Sequence, residues 1–208
     1  METVMRLSVN EIVQSNDYKY YYKFKQSEGK LFLNENIKKI SIITYSYYLF
    51  VIATVTALLF FVFLNVSRLE FVMGELGMAI ILFFPSMVIH ELIHAIVSIF
   101  LGARTVKLGF EKGLIVTKIN NFVISNIEYI IIAITPLLTI ILITLLVLLI
   151  TKGNLISGII FLLLHLWCSY GDIAIVNYCW LNRKNNIYGF SSEDGFFYFY
   201  SKQRYGQL

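Results

Sequence analysis

Charge is scarce in this 208-residue chain. Asp, Glu, Lys and Arg make up 14% of it, against about 25% in a typical soluble domain. There are two prolines, two cysteines and three histidines. So little charge beside 58% apolar letters excludes a soluble globular enzyme and a disordered chain. Two prolines leave no room for a proline-rich linker. Two cysteines exclude a disulfide scaffold. Cys168 and Cys179 share one apolar run. On a helix they stand roughly 16 Å apart, beyond the reach of a disulfide, and read as free thiols. The first forty residues are polar and basic, without the apolar core of a cleavable signal peptide. What remains is an integral membrane protein.

The few charges mark out the spans. None lies between Lys39 and Arg68. Glu91 is alone between Glu75 and Arg104, Glu128 between Lys118 and Lys152, and Asp172 between Lys152 and Arg183. Each interval is long enough to cross a bilayer. The expected fold is therefore an all-α membrane protein with four transmembrane helices, near 42–66, 76–101, 124–150 and 154–181. Residues 1–41 form a basic, aromatic N-terminal segment, 42–181 the membrane domain and 182–208 a tail.

The net charge of +4 would suggest nucleic acid in a soluble protein. Here the cations flank apolar runs. Fifteen of the seventeen Lys and Arg fall in the N-terminal segment, the second loop and the tail; Arg68 and Lys152 alone fall in the other loops. The positive-inside rule then puts both termini and the second loop in the cytoplasm. The partners expected are a lipid bilayer and a protein or peptide substrate, not nucleic acid. The location expected is the cell membrane, in a bacterium.

The segment Tyr18–Lys25 alternates Tyr, Phe and Lys and suits the headgroup level. The second loop reads as a short cytoplasmic β-hairpin, with strands at 105–110 and 114–119 and a Glu-Lys-Gly turn at 111–113. Residues 195–200 suit another short strand. Residues 182–194, rich in Asn, Ser and Gly, read as a loop.

His90-Glu91-Leu92-Ile93-His94 carries chemistry. Residues four apart share a helix face, so the two imidazoles can hold one zinc ion. Glu91, one step round, reaches a zinc-bound water as general base. Composition alone produces this spacing in roughly one such chain in 400. Three titratable groups within five positions of a span cost several kcal/mol unless paired or liganded.

Asp172, His165 and Glu128 compete to be the third metal ligand. Leu92 and Asp172 each stand nine residues before the expected cytoplasmic end of their helix, about 14 Å in. His165 lies about 10 Å further out on the same helix, which suits a group behind the ligands. Glu128 has similar depth and suits substrate contact or support of a ligand. Pro85 and Pro136 can kink their helices and open a cavity to water.

These residues resemble the zincin peptidases related to the site-2 proteases, small multi-pass intramembrane zinc metalloproteases. The resemblance rests on HELIHAIVSIFLGAR at 90–104, Pro136 in YIIIAITPLL, Gly171-Asp172, and EDGFFYFY at 193–200, and covers about 75–200. It implies zinc on His90, His94 and Asp172, with Glu91 catalytic. In the site-2 proteases a Gly follows the Asp, whereas here Gly171 precedes it. The resemblance also implies a strand beside the site that pairs with an extended substrate, the place of the 105–119 hairpin here. Two other functions are compatible with the same residues: a zinc-binding membrane scaffold without turnover, and a membrane-anchored peptidase acting on soluble peptides.

Overall fold

The computed structural model describes residues 6–111, 114–151 and 155–203. A short helix α1 (Val9–Gln14), a strand β1 (Tyr18–Lys25) and a helix α2 (Gly29–Ile37) precede the first long helix. The long helices are α3 (Ile42–Leu64), α4 (Leu69–Phe100) and α5 (Asn126–Thr151). Each is long and apolar enough to cross a membrane. Phe63, Phe84 and Phe100 stand 74%, 67% and 87% exposed on α3 and α4. An apolar surface of that extent suits lipid rather than water, and with the length of these helices it suggests a membrane protein.

The fourth expected helix is broken. Helices α6 (Leu155–Cys168) and α7 (Tyr170–Leu181) meet at 54°. Ser169, between them, leaves helical dihedrals at φ −76° and ψ 4°. The break keeps its hydrogen bonds: Ser169 N donates to His165 O and Ile173 N to Ser169 O, both at 3.0 Å. Composition carries no trace of it, since Ser is an ordinary residue in such a helix.

Helix α4 starts seven residues before the expected 76. Glu70 and Glu75 lie inside it; Glu70, in the first turn, is favoured there by the helix dipole, and Glu is a good helix former further in. At its other end Gly102 takes φ +98°. The Gly102 and Ala103 amides donate back to Ile99 O and Ser98 O at 2.8 and 2.9 Å. Such a left-handed residue closes a helix at least cost when it is glycine.

The second loop is a β-hairpin, as its pattern suggests. Strands β2 (Val106–Glu111) and β3 (Leu114–Ile119) pair antiparallel, Leu108 opposite Thr117. Residues 112–113 of the expected turn lie outside the described residues.

A second sheet corrects the all-α expectation. It has four antiparallel strands in the order β1, β6 (Phe196–Lys202), β5 (Ile187–Ser191), β4 (Ile124–Ser125). The basic N-terminal segment and the tail are thus one layer, with Phe24 opposite Phe197. Strand β5 occupies residues read as loop. Ile187 and Phe190 are buried there, and so few apolar letters among Asn, Ser and Gly make a weak period-two signal. Gly189 is required by crowding: a Cβ there would stand 2.8 Å from Tyr129 Oη and 3.0 Å from Phe199.

The sheet packs on α2 and α7 through Phe24, Phe32, Tyr178, Cys179, Ile187 and Phe199. A buried polar knot holds the same end of α7. Asn177 Nδ2 donates to Asn36 O at 2.7 Å and Lys39 O at 2.8 Å. Ser41, which caps α3, donates its hydroxyl to Asn177 Oδ1. Every polar atom of that amide is satisfied in this way, as burial demands. The helix carrying Asp172 is thereby tied to the start of α3.

Candidate metal centre and active site

His90 and His94 lie in the last three turns of α4, one helical turn apart and both buried. Asp172 lies in the first turn of α7. The break at Ser169 swings α7 so that this carboxylate meets both imidazoles. His90 Nε2 is 3.0 Å from Asp172 Oδ2, His94 Nε2 is 3.4 Å from Asp172 Oδ1, and the two Nε2 atoms are 3.0 Å apart. Among the described residues, these three form a group whose ligand atoms suit a metal ion.

The far side of each imidazole decides what Nε2 can do. His94 Nδ1 is 2.8 Å from the carbonyl oxygen of Ile132 on α5. A carbonyl only accepts, so Nδ1 carries the proton and Nε2 offers a lone pair. Pro136 explains why that carbonyl is available. In a regular helix the amide of residue 136 would donate to Ile132 O, and proline has no N–H.

His90 Nδ1 is 3.2 Å from Nε2 of His165, which is fully buried on α6. With His90 donating to His165, His90 Nε2 is also a free lone pair. His165 thus meets His90 on the side of the ring away from Asp172. The arrangement differs from the expected one: a straight helix would separate His165 and Asp172 axially, whereas here they occupy two helices on either side of a break.

Glu128 does not join the group. Its carboxylate accepts from Ser125 N at 2.8 Å, Ser125 Oγ at 2.9 Å and Arg6 Nη2 at 2.9 Å. A carboxylate at the first turn of α5 closes the helix start and holds the N-terminal segment. These contacts, rather than one to His90, His94 or Asp172, are the ones its carboxylate makes among the described residues.

Glu91 is held by the hairpin. Its Oε2 accepts from the backbone amide of Thr117 on β3 at 2.8 Å. The Thr117 hydroxyl lies 2.8 Å from both Glu91 Oε2 and Glu91 O, and its single proton serves one of them at a time. Val116, Thr117 and Asn120 were not singled out from the sequence, since a hairpin residue's neighbours are set by how the loop folds back. They line a cavity of about 350 Å³ together with Glu91, His94, Asp172, Tyr129 and Phe196. A few polar groups share this lining with apolar side chains such as Val116, Ile132 and Phe196, the usual make-up of a ligand site.

Residues 83–187 match the family model described as "putative zincin peptidase". The chain belongs to that family. The match spans both histidines, the hairpin and Asp172, and it supports a zinc metallopeptidase. No curated protein and no solved structure matches the chain.

Zinc, which the family implies, fits these residues. Tetrahedral zinc with bonds of about 2.0–2.1 Å sets its ligand atoms roughly 3.3 Å apart. The three separations here are 3.0, 3.0 and 3.4 Å. Two imidazoles and one carboxylate leave a fourth position, the arrangement of catalytic rather than structural zinc. The carboxylate also offsets part of the ion's charge in a site with little water.

Proposed function

We propose that the chain is a membrane-embedded zinc metallopeptidase that hydrolyses peptide bonds in or beside membrane segments of other proteins. His90, His94 and Asp172 hold the metal, and Glu91 is the general base. The observation that carries this reading is Glu91 lining the same cavity as His94 and Asp172. When bound, zinc supplies Lewis-acid polarisation of a water and of a carbonyl.

The chain's own part is proton movement and orientation. Glu91 accepts a proton from the attacking water, whose oxygen bonds to the carbonyl carbon. The same carboxylate then delivers a proton to the amide nitrogen as the C–N bond breaks. Thr117 aims the carboxylate. Ile132 and His165 hold the two imidazoles in the tautomer that binds metal.

With fifteen basic residues in the N-terminal segment, second loop and tail, both ends face the cytoplasm. The cavity borders β3 and residues of the β5–β6 layer, Ser191 and Phe196 among them. That position favours cleavage near the cytoplasmic edge of the membrane over its middle. It also keeps open a second reading, cleavage of soluble peptides at that face.

The test compares membrane-protein fragments in cells carrying the wild type or Glu91→Gln, with zinc measured in both purified proteins. Glu91→Gln should keep its zinc and lose defined fragments. A variant that keeps both would leave a zinc-binding scaffold as the better account.

A further inference from the structure

The catalytic cavity has a neighbour. Tyr129, Ile175 and Phe197 line both it and a second cavity of about 220 Å³. The remaining walls carry four aromatic rings, Phe24 from β1, Phe32 from α2, Tyr178 from α7 and Phe199 from β6, beside the smaller Gly29, Leu33 and Cys179. They are arranged as rings that accept another ring. Phe24 and Phe32 stack at 4.5 Å, and Tyr178 meets Phe32 and Phe199 edge-on at 5.0 and 5.3 Å. A dry cavity of roughly 150 Å³ suffices for benzene, so this one admits a single ring.

Tyr178 lines the chamber with its ring rather than its hydroxyl, whose oxygen has less than 1 Å² of accessible surface. Gly29 leaves the wall open at one point, where an added Cβ would meet only Phe24 Cε2, at 4.0 Å.

We propose that this chamber is the side-chain pocket of the peptidase, taking an aromatic side chain from a substrate residue close to the scissile bond. The proposal rests on the reading of the adjoining cavity as the peptidase site. Edge and face contacts with Phe32, Tyr178 and Phe199 select a ring. Discrimination against alanine follows from the apolar area such a side chain leaves unfilled.

The test uses the full chain in lipid nanodiscs and three probes: N-acetyl-tyrosinamide, N-acetyl-phenylalaninamide and N-acetyl-alaninamide. Binding is read by saturation-transfer NMR, which needs no turnover. The tyrosine and phenylalanine probes should both bind, and the alanine probe at least tenfold more weakly than either. Gly29→Leu, which grows a side chain into the chamber, should weaken the tyrosine probe about tenfold. Equal binding of all three probes to the wild type, whatever the variants do, overturns the proposal. Cleavage of peptides without preference for aromatic residues overturns the chamber and leaves the peptidase standing. Ring binding that Gly29→Leu abolishes, in a chain that cleaves no peptide or membrane protein, removes the peptidase reading and leaves an aromatic-binding site.

Discussion

His94 Nδ1 lies 2.8 Å from the carbonyl oxygen of Ile132, the acceptor that Pro136 leaves without a helical donor. One imino acid thus couples two helices. It interrupts the hydrogen-bond ladder of α5 where α4 needs an acceptor, and it turns the His94 lone pair toward Asp172.

Pro136→Ala restores an amide that competes for Ile132 O. A carbonyl has two acceptor sites, so the contact should weaken rather than vanish. Zinc affinity should fall about tenfold, while thermal stability holds or rises as the helix becomes regular. Chelator competition and thermal unfolding on the same sample separate the two effects. An unchanged affinity would mean that His94 takes its orientation from elsewhere.

If Asp172 is the third ligand, Asp172→Ala removes a carboxylate from the His90–His94–Asp172 group and should strip the metal on purification. His165→Ala removes only the partner of His90 Nδ1, and affinity should fall by about 10- to 100-fold. Metal analysis of both proteins checks the order. Metal retained by the Asp172 variant and lost by the His165 variant would reverse the assignment of ligand and support.

Thr117→Val keeps the backbone amide on Glu91 and deletes the hydroxyl. One hydrogen bond to a carboxylate is worth about 1.5–3 kcal/mol. Since the amide remains, kcat should drop roughly tenfold with KM little changed. Thr117→Ser should restore it. A loss that Ser fails to rescue would point to a packing role for the threonine methyl.

Topology has its own check. A reporter fused after Leu208 should behave as cytoplasmic, and one inserted near Arg68 as external. The opposite pattern would place the hairpin and the β1–β6–β5–β4 layer outside the cell and reverse the side from which substrates enter.

The three long spans were legible because each is a local property: a stretch without charge, long enough to cross a bilayer. The free state of Cys168 and Cys179 was legible too, and both are free thiols. The strand at 187–191 was not, because its buried residues sit among turn-forming letters and gain their partners from β4 and β6. Glu128 looked like a site residue because an isolated acid in an apolar run is costly. Its partners, Ser125 and Arg6, are visible once the chain has folded.

The sequence by itself determined that His90 and His94 share one helix face, since four-residue spacing on an α-helix needs no tertiary information. It also put Asp172 at a matching depth. Tertiary structure alone decided the rest. The bend at Ser169 brings Asp172 to both imidazoles while His165 backs one of them. The hairpin folds onto Glu91 through Thr117, and the carbonyl freed by Pro136 meets His94. Each of these joins residues far apart in the chain, where position depends on how helices pack and where they break, and neither periodicity nor composition records that.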